Sequence, residues 1–292
     1  MFIDDGSKDN STDIIEYYKN QDERIILLKL KKNKGTLIAR NIGVIFSKGD
    51  YIIIPDSDDI LSNTILKICY KLSIRYKYEM IRFNQYEENS KGYWMKVFNE
   101  FKTYEIYQPE LSTFIFYGLG NLQLHDFSIS NKFIKRELFI KALNSINQFY
   151  LTQYMIGLED GLINFSLHRN AKSLYLLNKL GYYYTYNNKS ITRIKKKKRT
   201  CKYRFLYLKF LYENTRNTLF EKNMAFSVFN RKINKINNVN LITNEFEFYN
   251  DILITYLNNK YNDNLTKMKL IKMIEFIKMK KKHYSLLKKI ID

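Results

Sequence analysis

Apolar positions in the first third of the chain follow two patterns in turn. Short apolar runs occur at Met1 to Ile3, Arg24 to Leu30, Tyr51 to Ile54 and Met80 to Asn84. Between them apolar residues recur at helical spacing: Ile14, Ile15 and Tyr18; then Leu37, Ile38, Ile42 and Ile45; then Ile65, Ile68, Leu72 and Tyr76. Runs of the first kind read as strands and stripes of the second as helices. The run Tyr51-Ile52-Ile53-Ile54 is rich in β-branched residues, as in a strand buried in a parallel sheet. Pro55 cannot donate to a ladder and suits the end of that strand. Strand–helix alternation predicts an α/β fold with a mostly parallel sheet and ligands at the carboxyl ends of its strands.

Further along the pattern is less regular. Residues 85–124 carry a weak strand signal at Trp94–Phe98. Asn131–Leu143 reads as a helix, and Gly157–Gly161 opens another that carries Leu162, Phe165 and Leu167. Leu174–Tyr186 reads as a strand running into an aromatic turn. The basic run Lys195–Arg199 marks the expected boundary between a domain over 1–195 and a basic helical region over 196–292. In that region helices are predicted near 202–223, 244–259 and 266–291. No internal repeat is visible.

Composition narrows the class. The 292 residues are 45% hydrophobic with only 2 Pro and 10 Gly, which suits a folded chain with a substantial core. The formal charge is +20, and most of the excess lies beyond Lys195. Such a balance favours anionic partners: nucleic acid, an acidic membrane surface or a nucleotide-activated substrate. No nucleic-acid motif appears, so nucleic acid is not an expected partner. Two Cys, at 69 and 201, are too few for a zinc framework and suggest a reducing compartment. No signal-peptide pattern or membrane-spanning run appears, so the expected location is cytoplasmic. Segment 266–292 combines an apolar stripe with many Lys. It reads as an amphipathic helix that either docks on the inner face of an anionic membrane or packs against the first domain.

Three acids, Asp56, Asp58 and Asp59, follow the central strand within four residues. Like charges this close need a cation or hydrogen-bond donors. A hard divalent metal with oxygen ligands answers that need. So does a solvated turn capping a helix that begins at Ser62 or Asn63. A second acidic turn, Asp4-Asp5-Gly6-Ser7, also falls at a strand end, which places both turns in one site. Glu159-Asp160 stand at a helix start, where the macrodipole alone favours acids.

These residues form an ordered set. Ile3-Asp4-Asp5-Gly6-Ser7, Asn33-Lys34-Gly35, Ala39-Arg40-Asn41-Ile42-Gly43, Gly49-Asp50-Tyr51 and Asp56-Ser57-Asp58-Asp59 come first. Asn131-Lys132-Phe133, Glu159-Asp160 and Tyr183–Thr192 follow. The series resembles family 2 glycosyltransferases over roughly residues 1–195. The resemblance implies a GT-A fold, a nucleotide-sugar donor, with a UDP-sugar the first expectation, and inversion at the anomeric carbon. It implies a glycan or lipid-linked acceptor in cell-surface polysaccharide synthesis. It further implies that Asp5 binds the base, and that Asp56 and Asp58 hold ribose and a Mn²⁺ or Mg²⁺ ion. Asp59 is a third candidate ligand. By the same resemblance Asp160 is the base that takes the acceptor's proton, and Glu159 orients acceptor or base. Arg40 either approaches the phosphates or is an exposed helix cation. Gly35 either lets backbone approach the donor or simply makes the turn. Of the histidines, His125 is a candidate contact to phosphate or metal, while His168 and His283 read as surface residues. Tyr183, Tyr184 and Tyr186 are candidates for stacking on sugar, or aromatic core.

The chain departs from the family in two places. The family opens with a further strand, a turn and a helix, and the reading is that this amino-terminal unit is missing before Met1. A Tyr-Tyr-Arg common in the family's aromatic turn is Tyr183-Tyr184-Thr185 here. The Gln-x-x-Arg-Trp motif of processive synthases is absent, since Trp94 is the only Trp. Two other readings compete: an inactive remnant that only binds, and a nucleotidyltransferase, which lacks its early Gly-rich phosphate loop.

Overall fold

The structure, a computed structural model, describes residues 1–96, 104–106, 128–154, 158–188 and 190, together with 206–207, 210–211 and 213–214. The chain divides into two compact units, Met1–Val228 and Phe229–Asp292, and every described residue belongs to the first. The expected boundary at 195/196, the helices near 244–259 and 266–291, and His125, Cys201 and His283 lie outside the described residues.

The chain begins with β1 (Phe2–Asp4), α1 (Ser11–Lys19), β2 (Leu27–Lys29), α2 (Thr36–Phe46) and β3 (Tyr51–Ile52). Next come β4 (Ile60–Leu61), α3 (Ile65–Tyr76), β5 (Met80–Glu88), β6 (Trp94–Lys96) and β7 (Tyr104–Ile106). Then follow β8 (Lys132–Lys135), α4 (Arg136–Asn144), α5 (Gln148–Leu151), α6 (Glu159–Asn170) and β9 (Leu174–Tyr184). β1 and β2 pair in parallel as a two-stranded sheet. The other strands form a seven-stranded sheet whose main path is β3-β8-β5-β9-β4.

The α/β expectation holds, but the sheet is mixed rather than mostly parallel. β5 and β9 are parallel, and β8 runs against both β3 and β5. β3, β5 and β9 therefore share one direction, with β8 inserted against them. After β5 the chain turns back through the antiparallel β5–β6 hairpin, and β8 enters antiparallel between β3 and β5. The expected helix over 131–143 is also corrected. Lys132-Phe133-Ile134-Lys135 is a strand between β3 and β5, and the helix starts at Arg136. Alternate residues of this strand bury on opposite faces, a tertiary demand that outweighs local propensity.

Two cores cover the two faces of the sheet. On one side Met80, Ile134, Leu174 and Leu176 pack with Leu37 and Val44 of α2, Leu138 and Phe139 of α4, and Leu162 and Phe165 of α6. Tyr207, Phe210 and Leu211 are buried in this same core. On the other side Ile81, Phe83, Phe133 and Tyr182 pack with Ile65 and Cys69 of α3. Burial pushes the Cys69 thiol up to about 12, so it remains an inert apolar filler. His168, read as a surface residue, is fully buried near the end of α6. Nearly the whole of α6 is buried, which leaves no solvent face for it to occupy. Among the described residues no helix is long and apolar enough to cross a membrane.

Candidate functional site

The site is assembled from the ends of β1, β3 and β9 and the beginnings of α2 and α6. β1 ends in Asp4, which accepts the Ser7 backbone N–H at 3.1 Å and shapes the turn. The next residue, Asp5, accepts the N–H groups of Lys34 at 2.7 Å and Gly35 at 2.8 Å. That pair of bonds docks the start of α2 against the end of β1. Gly35 has φ +91°, and a Cβ there would lie 3.0 Å from the Tyr154 ring. Both facts require glycine at the head of α2.

About one turn into α2, Arg40 projects into the site. Its guanidinium bonds Asp56 through one nitrogen and Asp160 through the other. Glu159 lies 3.7 Å away. Arg40 is therefore not an exposed helix cation: it joins the acidic turn after β3 to the acidic pair that opens α6. Burial disfavours its charge, but Asp160, Asp56 and Glu159 outweigh that and raise its pKa. Burial, reinforced by the charge of Asp160 and opposed by Arg40, pushes the Glu159 carboxyl up to about 7. Asp160 is likewise raised by burial, with Arg40 and the buried Lys132 pulling it back.

The acid pair is placed by a strained turn. Leu158, which caps α6, has φ +82°. A left-handed non-glycine residue costs about 1–3 kcal/mol and persists only where packing holds it. Leu158 packs against the core, and Glu159 and Asp160 follow in the first turn of α6, where the helix dipole favours negative charge.

The acids after β3 have separate partners. Asp56 meets Arg40, with the Ser130 hydroxyl 3.4 Å from its other oxygen. Asp58 is exposed and accepts the Asn187 side-chain amide at 2.9 Å. Asp59 accepts the Tyr182 hydroxyl and the Thr185 N–H, the latter at 2.8 Å. Tyr182 also accepts the Asp56 N–H at 3.1 Å, and Thr185 donates its hydroxyl to the Asp58 carbonyl. The end of β9 thus clasps the acidic turn. Thr185, standing where the family pattern has Arg, supplies part of that clasp.

Five of the sequence-selected residues, Arg40, Asp56, Glu159, Asp160 and Gly35, are joined directly or through α2, and Asp5 anchors the same helix. Asp58 and Asp59 share the turn with Asp56. Sequence reasoning missed Tyr182 and Ser130. Tyr183, by contrast, packs edge-on against Tyr86 and Trp94. Oxygen donors on a short turn fit a hard divalent cation. Among the described residues no three His, Cys, Asp or Glu side chains gather to hold a metal by themselves. Such a sparse protein set suits Mg²⁺ or Mn²⁺, which completes its shell with water and phosphate oxygens.

Strand-end acids and a helix-start acid pair, joined by Arg40, thus stand on a mixed α/β sheet of the GT-A type. The family model described as "Glycosyl transferase family 2" matches residues 1–143 of the 292, and that segment belongs to the family. A glycosyltransferase, GlyG, of Streptococcus pneumoniae is 38% identical over 71 residues, 24% of each chain. Glycosyltransferase GlyA of the same organism is 26% identical over 207 residues, 66% of this chain and 27% of that protein. The chain thus spans about a quarter of the length of these curated relatives. Among solved structures, S. aureus TarS 1–349 in complex with UDP-GlcNAc superposes with a TM-score of 0.61 at 18% identity. That match covers 80% of this chain and 63% of that one. It shows the shared fold.

Proposed function

We propose that this chain is an inverting, metal-dependent glycosyltransferase that moves a sugar from a nucleotide-sugar donor to a hydroxyl of a glycan or lipid-linked acceptor in cell-surface polysaccharide synthesis. The observation that carries the reading is the bridge from Asp56 through Arg40 to Asp160. It brings a strand-end acid, suited to a donor, within one side chain of a partly buried acid suited to proton transfer. The solved relative that holds UDP-GlcNAc shares the fold and makes a UDP-sugar the first donor to test.

In this reading Asp160 takes the proton of the acceptor hydroxyl as that oxygen attacks the anomeric carbon. The bond from carbon to diphosphate breaks on the opposite face, and the nucleoside diphosphate leaves with the electron pair. A carboxyl whose pKa burial has raised is a better proton acceptor than an exposed one, provided it is ionised, and Arg40 favours that form. Glu159 orients the base or the acceptor. Asp5, Gly35 and Arg40 shape the donor side, and the Asp56–Asp59 turn faces ribose and diphosphate. Asp56 and Asp58 would hold Mn²⁺ or Mg²⁺, with Asp59 committed to the clasp. When bound, the ion supplies positive charge to the leaving diphosphate.

The test is release of UDP from a panel of UDP-sugars, with and without Mn²⁺, for the wild type and Asp160→Asn. Metal-stimulated release that falls at least 100-fold in the variant is expected, since a positioned base is worth ~10²–10⁴-fold. Equal rates in the two proteins would sink the assignment of Asp160.

A further inference from the structure

We propose that Arg40 is a latch: it closes the site by bridging Asp56 to Asp160, and donor binding releases its Asp56 end while its hold on the acidic pair of α6 persists. The inference rests on the glycosyltransferase reading and adds to it what donor binding must displace and how the base is positioned.

The asymmetry of the bridge motivates the proposal. The Arg40 side chain is 12% exposed and those of Glu159 and Asp160 are 11% and 26% exposed, whereas that of Asp56 is 34% exposed. Asp56 is therefore the most exposed of the three acids and Glu159 the least. Only one nitrogen, Nη2, reaches Asp56, and it meets Oδ1. The other, Nη1, meets Asp160 and lies near Glu159. A guanidinium fork can hold two acids at fixed separation, which an ammonium cannot. An incoming cation or ribose hydroxyl that engages Asp56 Oδ1 must compete with Nη2. The Ser130 hydroxyl, 3.4 Å from Oδ2, stays available to Asp56 after that exchange.

Release at Asp56 does not strand the guanidinium, because two carboxylates still face it. Arg40 is then a positioning residue for Asp160, acting through that acid rather than on the substrate. A closed latch also taxes donor affinity, since only the open fraction binds. Removing the bridge should therefore tighten nucleotide binding while it slows turnover. A phosphate-binding arginine would show the opposite, with both falling together. An arginine needed only for folding would show no tightening.

The experiment is isothermal titration of the full chain with UDP in Mn²⁺, alongside UDP release from the best UDP-sugar. Wild type, Arg40→Gln and Arg40→Lys are compared, and thermal unfolding of each is recorded. Arg40→Lys keeps a cation among the three acids, so it protects the fold while it breaks the two-acid bridge. The expected result is a dissociation constant at least threefold lower in Arg40→Lys, with turnover at least tenfold lower. A folded Arg40→Lys with unchanged or weaker UDP affinity would overturn the latch and leave the functional reading standing. Failure of the wild type itself to bind UDP with Mn²⁺ would overturn that reading and the latch with it.

Discussion

The Tyr182 hydroxyl holds two parts of one turn: it donates to the Asp59 carboxylate and accepts the Asp56 N–H. Burial, reinforced by the bond to Asp59, raises its pKa, so it stays a phenol throughout the working range. Tyr182→Phe removes both bonds and leaves Asp59 short of a donor in a half-buried position. A loss of about 1–3 kcal/mol in stability is expected. Donor turnover should fall by up to ~10²-fold, the cost of a misplaced site group. Urea midpoints and UDP release check this, and unchanged values in both would remove Tyr182 from the clasp. Glu159 carries a pH signature. Its carboxyl titrates near 7 in the folded chain against an ordinary value of 4.5. Between these values the folded state keeps a proton that the unfolded state has lost. Stability at this position is therefore full below pH 4.5 and declines as pH rises towards 7. Glu159→Gln should gain stability over wild type at pH 8 and show little gain at pH 4.5. An equal difference at both, by urea titration, would contradict the assignment.

At the scale of elements, β9 explains what the sequence showed and what it hid. Leu174 and Leu176 face the core beneath α6, while Tyr175 and Leu177 face the other core. Strict alternation would put Tyr182 with Leu174. The β5–β9 register instead shifts twice near Asn84, and Tyr182 lands on the α3 side, below the acidic turn. One irregularity in a strand exchanges its faces, so a period-two reading cannot reach past it. Gly181 belongs to the same device. A Cβ there would fall 2.4 Å from Phe83 Cδ2 and 2.5 Å from Ile65 Cγ1. Gly181→Ala should cost about 1–3 kcal/mol by overpacking and lower the melting temperature, while a neutral result would show the strand free to move. The strand-end acids were legible because composition and placement coincide at Asp4-Asp5 and Asp56–Asp59. Glu159-Asp160 were legible only beside those motifs, and Arg40 was ambiguous because a lone basic residue in a helix carries no partner in its own sequence.

At the scale of the molecule, the alternation of strands and helices was sufficient for the α/β class. It was insufficient for β8, since Lys132–Lys135 reads as helix in sequence and its antiparallel place between β3 and β5 is set by tertiary pairing. The Lys-rich segment 266–292 makes a separate prediction from its sequence. If it binds an anionic surface, the chain should float with vesicles containing anionic lipid and not with neutral ones. Deleting 266–292 should abolish flotation, each nearby Lys contributing ~1 kcal/mol. A chain that stays in the lower fractions with both lipids at low salt would contradict membrane docking. The placing of donor and base chemistry at opposite ends of one site has a more direct test. UDP is titrated in Mn²⁺ into the wild type, Asp58→Ala and Asp160→Ala. At least tenfold weaker binding is expected in Asp58→Ala and near wild-type binding in Asp160→Ala, with sugar transfer abolished in both. Equal loss of UDP affinity in the two variants would contradict it.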